Sequence, residues 1–184
     1  VDVSNFGKYE IKGEGAADWI DKVIANNVPK EIGRSCLTPL IGIRGGVAGD
    51  FTVTKLNEEH FFIVGSGMAE RYHVRFFEMV PRPKSVSFKS LTEEMCGFNV
   101  AGPKSRELLS RMTQDDLSTE SWKFMRSRSI TIAGIDAIAI RVSFTGDLGW
   151  EIYVKTENQL KLYEALLDTG ADLGVRPVGG RSLL

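Results

Sequence analysis

A chain of 184 residues with 42% hydrophobic and 26% charged content has room for one domain of about 150 residues or two smaller ones, and its composition excludes fibres and wholesale disorder. Its 23 Lys+Arg against 24 Asp+Glu leave a formal net charge of -1, so no global field draws it to nucleic acid or to an anionic membrane. Cys36 and Cys96 stand alone and only His60 and His73 occur, which argues against a zinc set or a Cys-His nucleophile. Two scattered thiols point to a cytosolic or mitochondrial-matrix setting, with a single disulfide left open. No apolar run approaches the roughly 20 residues needed to cross a bilayer, and no basic-then-apolar leader opens the chain. The chain starts without Met in the strand-like Val1-Asp2-Val3-Ser4 and stops at Arg181-Ser182-Leu183-Leu184, which reads as a piece of a longer polypeptide.

In chain order, Phe6 to Lys12 reads as a strand, Gly13-Glu14-Gly15 as a turn, and Ala16 to Ala25 as a helix with Trp19, Ile20, Val23 and Ile24 on one stripe. Phe51 to Leu56 and His60 to Gly65 flank Asn57-Glu58-Glu59 as a hairpin. Ser66 to Met79 is expected to be a helix closed by Pro81-Arg82-Pro83, and Val86 to Lys89 restarts a strand. The first plan then returns. Phe98 to Lys104 is strand and turn, Ser105 to Thr113 a helix, and aligning Gly13 on Gly102 brings Trp19 over Leu108, Ile20 over Leu109 and Val23 over Met112. A duplicated strand-helix unit is the economical reading. A second hairpin is expected around Gly134-Ile135-Asp136. It is followed by a strand over Trp150 to Val154 and a helix from Gln159 to Thr169, with Thr156 and Gln159 as a capping box and Gly170 as its stop. Hairpins mixed with crossover helices predict an α+β fold, with antiparallel or mixed sheets and helices on one face.

Two stretches carry more chemistry than folding needs. Arg44-Gly45-Gly46-Val47-Ala48-Gly49-Asp50 packs three glycines and a carboxylate against the start of an alternating run. Glycines let backbone approach a ligand closely, so Asp50 at a loop-strand junction is a candidate; a turn aspartate bonding its own backbone is the alternative. In Val142 to Ile152, Asp147 reads as a solvated turn residue. Glu151, between Trp150 and Ile152, either points inward with a partner or faces water on the polar side of a sheet. No GxxxxGK[ST], dinucleotide fingerprint or GxSxG pattern occurs. His60 beside a hairpin turn and His73 between Arg71 and Arg75 read as surface residues, and Arg71, Arg75, Arg82 and Lys84 as a solvated basic face or a site for a polyglutamate tail or partner domain.

Taken together, Arg44-Gly45-Gly46-Val47-Ala48-Gly49-Asp50-Phe51-Thr52-Val53 resembles the GG[IV]xxDxxV segment of the glycine-cleavage T-protein (aminomethyltransferase) family. Phe144-Thr145-Gly146-Asp147-Leu148-Gly149-Trp150-Glu151 resembles its YTGExGxE segment. Phe6 to Glu10, Leu37-Thr38-Pro39 and Leu148 to Glu151 are most similar to the folate-binding region of dimethylglycine and sarcosine dehydrogenases. The resemblance runs from Val1 to Leu184 and implies one folate-binding, aminomethyltransferase-like domain over 1–184.

What the resemblance implies is a domain that binds tetrahydrofolate and forms 5,10-methylenetetrahydrofolate, with a folate and an upstream FAD domain of the same polypeptide as its partners. Asp50 would be the catalytic carboxylate at the folate N5/N10 edge. Glu151 would hold the pterin through its amino and ring N–H groups, and Leu37, Val64, Ser66 and Phe144 would line the pocket. An aminopterin edge offers two adjacent donors, which suits a bidentate carboxylate. Phe144 stands where the family often has Tyr, Asp147 where it has Glu, and Gly42 where Asn is common. The chain also stops ahead of the family's Leu-Arg-x-Glu helix, which implies an incomplete pocket. A freestanding aminomethyltransferase or demethylase and a non-catalytic folate-binding module are the rival readings; a GxGxxG unit upstream in the full gene product would single out the dehydrogenase.

Overall fold

The computed structural model describes residues 1–42 and 44–180; Ile43 and the chain end expected at Arg181-Ser182-Leu183-Leu184 lie outside the described residues. The chain divides into two compact units, one over Asn5–Glu93 and one formed by Val1–Ser4 with the chain from Glu94 onward.

In the first unit the order is β1 (Gly7–Lys12), α1 (Ala16–Val23), β2 (Ser35–Ile41), β3 (Val47–Asn57), β4 (His60–Gly65), α2 (Glu70–Met79) and β5 (Ser87–Ser90). The antiparallel sheet runs β2-β3-β4-β1-β5. Tyr9, Ile11, Leu40, Phe51, Val53, Phe61 and Ile63 supply one face, covered by Trp19, Ile20 and Val23 of α1 and Phe77 of α2. Each fully buried side chain of this size contributes about 1.5–3 kcal/mol, so this layer is the main source of the unit's stability. Strand β2, which carries Pro39, was not expected. At a sheet edge the missing N–H breaks no ladder bond, and β2 is an edge strand.

The second unit repeats the plan with β6 (Met95–Ala101), α3 (Ser105–Ser110), β7 (Ser127–Ile132), β8 (Ile135–Ile140), β9 (Gly149–Lys155) and α4 (Gln159–Thr169). Its sheet runs β7-β8-β9-β6, the same walk as β2-β3-β4-β1. The duplication read from the sequence extends to backbone detail. Gly13 and Gly102 take φ of 118° and 123°, and each carbonyl accepts from the N–H three residues on at 3.0 Å. Trp19 and Ile20 are matched in burial by Leu108 and Leu109. The expected α+β architecture, with helices on one face of each sheet, is what the chain adopts.

Three local expectations shift. The hairpin between β7 and β8 turns one residue early, over Ala133 and Gly134, which take φ of 50° and 70° because a two-residue turn needs left-handed backbone at both positions. The helix expected from Ser66 starts as a single 3-10 turn over Gly67–Ala69, and α2 proper begins at Glu70. No side-chain cap forms on α4. The Gln159 amide reaches Asp2 and Ser4 instead, and Thr156 N–H donates to the Glu94 carbonyl at 3.0 Å.

Candidate functional site

Cross-strand register decides which side chains share a face. In the first unit Leu37 pairs with Thr52, Thr52 with Val64 and Val64 with Lys8, and one step along Pro39 pairs with Asp50. Directly paired residues and those two apart on a strand lie on one side of the pleat. Leu37, Asp50, Thr52, Val64 and Lys8 therefore occupy the face opposite the helices. Asp50 lies inside β3 rather than at its start, because pairing with β2 extends the strand back to Val47. Its carboxylate is exposed and makes no hydrogen bond or ion pair among the described residues, so the alternative of a turn aspartate bonding its own backbone does not hold. Leu37 is 60% exposed, an apolar side chain left on an edge strand beside that carboxylate's row. Val64 is buried, and Ser66 is exposed just past the end of β4.

Lys8 was passed over in the sequence, yet it is fully buried on this face, its ammonium donating to the Phe6 carbonyl at 2.6 Å. The signal was the alternation Lys8-Tyr9-Glu10-Ile11, which puts Lys8 opposite the core side. His73 corrects the surface reading. It is fully buried in α2, with Nδ1 3.1 Å from the Tyr9 hydroxyl, because the helix turns His73 and Phe77 to the sheet and leaves Arg71 and Arg75 outside. His60 is half-buried, its Nε2 3.0 Å from Glu10. Arg71, Arg75, Arg82 and Lys84 are exposed as expected, with Arg82 over the ring of Trp19.

In the second unit β9 alternates Trp150, Ile152 and Val154 into the core with Glu151 and Tyr153 on the helix-free face. The inward reading of Glu151 holds: the residue is 7% exposed and Oε2 accepts from the Tyr153 hydroxyl at 2.8 Å. Burial pushes its carboxyl above the usual carboxylate range, and the Tyr153 hydrogen bond pulls weakly the other way. The other oxygen takes no hydrogen bond among the described residues. Phe144 lies exposed in the preceding turn, which is pinned by Thr145 Oγ1 donating to Asp147 at 2.8 Å, so Asp147 is the turn residue it was read to be. A separate apolar groove of about 760 Å³ runs beside β6 and α4, lined by Phe98, Val100, Leu160, Tyr163 and Leu167; it includes neither Glu151 nor Phe144.

The structure thus brings Leu37, Asp50 and Val64 onto one face within one unit, and leaves Ser66 beside its end. It sets Glu151 on the corresponding face of the other unit's sheet, with Phe144 in a nearby turn of the chain. Two copies of one strand-helix plan, each with a carboxylate on its helix-free sheet face, define a duplicated α+β domain. The chain belongs to the GCVT N-terminal domain family, which it matches over residues 1–183. Human mitochondrial dimethylglycine dehydrogenase is 33% identical over 97% of this chain and 21% of its own length. An aminomethyltransferase of Thermoanaerobacter sp. strain X514 is 29% identical over 97% of this chain and 48% of its own. The chain therefore spans about half or less of these relatives. The fold matches glycine cleavage system aminomethyltransferase T of Bartonella henselae with a TM-score of 0.79, at 21% identity over 90% of this chain and 44% of that one. It is an aminomethyltransferase-like domain with both bacterial and mitochondrial relatives, and no helix among the described residues is long and apolar enough to cross a membrane.

Proposed function

We propose that this domain binds tetrahydrofolate and transfers a one-carbon unit to it, as the folate-binding part of a dimethylglycine/sarcosine dehydrogenase-like enzyme. The observation that carries the reading is Glu151. A carboxylate this deeply buried, with one oxygen uncommitted, is costly to folding unless a ligand supplies donors. The adjacent amino and ring N–H groups of a pterin match that need. Phe144 and Leu37 are exposed apolar side chains of the kind that cover a flat ring, so the residues present fit the group. Bound tetrahydrofolate supplies the nitrogens that accept the carbon. Asp50 is proposed as the carboxylate at the reacting edge, where an unpartnered, ionisable oxygen can take up a proton and stabilise developing positive charge. Val64 and Ser66 are proposed as lining residues. The greater identity to dimethylglycine dehydrogenase than to the freestanding aminomethyltransferases supports an FAD domain of the same polypeptide as partner, which a GxGxxG unit in the full gene product would mark.

Titration of tetrahydrofolate into the full gene product tests this. Glu151→Ala is expected to weaken binding by about 1–3 kcal/mol, roughly 5- to 150-fold, through loss of a buried charged acceptor. An unchanged dissociation constant returns Glu151 to a purely structural role. Asp50→Asn is expected to leave binding within a few-fold while slowing 5,10-methylenetetrahydrofolate formation by roughly 10²-fold or more. Product formed at the wild-type rate would remove Asp50 from the chemistry.

A further inference from the structure

Strand β9 places two polar side chains in succession on its helix-free face. Glu151 and Tyr153 stand two residues apart there, 7% and 0% exposed, and the Tyr153 hydroxyl donates to Glu151 Oε2 at 2.8 Å. Packing alone asks for neither group. Phe at 153 would supply the same ring without a buried hydroxyl, and an apolar residue at 151 would spare the desolvation of a carboxylate. Replacing both partners of such a pair by apolar groups is close to neutral for folding, so stability does not explain the pair. The neighbouring strand makes room for it. Gly97 of β6 is paired with Tyr153, and a Cβ there would stand 2.7 Å from Cε1 and 2.8 Å from Cδ1 of the tyrosine ring. Gly97 does not take a positive φ, so what this position requires is the missing side chain and not the freedom of glycine. The ring lies against that gap, and from there its hydroxyl meets residue 151 of its own strand.

Across the ladder Glu151 is paired with Asn99 of β6 and Ile140 of β8, both uncharged. Among the described residues the Tyr153 hydroxyl is the one hydrogen-bond partner of the carboxylate. An ionised carboxylate has about four acceptor sites, and this hydroxyl takes one of them. We propose that Tyr153 is a positioning residue for Glu151: with its ring seated against Gly97, its hydroxyl holds one carboxylate oxygen and so presents the remaining acceptor sites to the pterin in a single orientation. The inference rests on the folate reading of Glu151. A carboxylate fixed before the ligand arrives loses no side-chain freedom on binding, which is where preorganised sites gain affinity. The same hydrogen bond favours the ionised form that accepts the pterin's donors, against burial, which favours the neutral one.

A double-mutant cycle on tetrahydrofolate binding to the full gene product tests this. Tyr153→Phe should raise the dissociation constant roughly three- to tenfold where Glu151 is present. In the Glu151→Ala background the same change should alter it less than about twofold, because there is no carboxylate left to hold. Equal losses in the two backgrounds, or wild-type affinity in Tyr153→Phe, overturn the proposal. Carboxyl NMR of this chain, with Glu151 assigned by Glu151→Gln, gives a readout that needs no ligand. The Glu151 midpoint should rise in Tyr153→Phe, and also in Gly97→Ala, where the displaced ring carries the hydroxyl away; a midpoint unmoved in either variant overturns the hold on the carboxylate. If tetrahydrofolate does not bind the wild type while Tyr153→Phe still raises the midpoint, the folate reading fails and the hold on Glu151 stands.

Discussion

Burial of Glu151 raises its proton affinity, and the single hydroxyl of Tyr153 replaces only part of the water that the carboxylate gives up on folding. Ionised Glu151 therefore costs stability at neutral pH, the sign expected for a group kept for a ligand. The two histidines act in the acid direction. Burial lowers both His60 and His73 from 6.5, and Lys12 adds to the effect on His60 while Glu10 opposes it. Between the folded values and 6.5 the unfolded chain binds more protons than the folded one, so stability rises with pH there. It is fully present above 6.5 and is lost as pH falls through that window. The histidine contribution to the melting temperature should be flat from pH 8 to about 7 and fall below about 6.5, with a shallower fall in His60→Gln. Because protonation of Glu151 opposes this trend, the decisive measurement is made in Glu151→Gln, where a melting temperature that rises on acidification from pH 7 to 6 would contradict the burial of both rings.

At the scale of elements, the duplicated strand-turn-helix provides an internal control. Gly13 and Gly102 share a positive φ that L side chains adopt poorly, so Ala at either position carries that backbone penalty, about 1–2 kcal/mol. Their surroundings differ. A Cβ at 102 meets open space, whereas one at 13 runs into the Ser85 carbonyl just ahead of β5. Urea unfolding should place Gly13→Ala below Gly102→Ala by a further 1–3 kcal/mol or about that, the usual cost of overpacking. Equal losses would show that the Ser85 backbone yields freely. Strand β2 shows the same dependence on context, since Pro39 is acceptable only because its strand lies at an edge.

For the whole molecule, the two sheets predict where stability resides. Strands β3, β4 and β1 in the first unit, and β9 and β8 in the second, are hydrogen-bonded on both sides, while β2, β5, β6 and β7 end their sheets. Amide exchange should be slowest at Phe61 to Val64 and Trp150 to Val154, and faster by at least about tenfold in β2 and β7, where opening breaks one ladder instead of two. Fast exchange across β9 would mean that Glu151 is carried by a strand too loose to preorganise a ligand contact.

Much of this was written locally. Among the described residues, local patterns located eight of the nine strands and all four α-helices, and the Gly13/Gly102 register disclosed the duplication, because period and turn chemistry are properties of neighbouring residues. Glycine and carboxylate spacing likewise singled out Asp50 and Glu151. What only tertiary structure decided are the outcomes of contacts between distant segments. Pro39 became strand because β2 is an end strand of its sheet, where the missing N–H breaks no ladder bond. Gln159 gave up its cap for Asp2 and Ser4, 150 or more residues away in the chain. His73, flanked by two arginines, was drawn inside by Tyr9 and the space above Gly49. A sequence records which faces a segment offers, and the free energy of burying one of them is set by whatever else the chain folds against it.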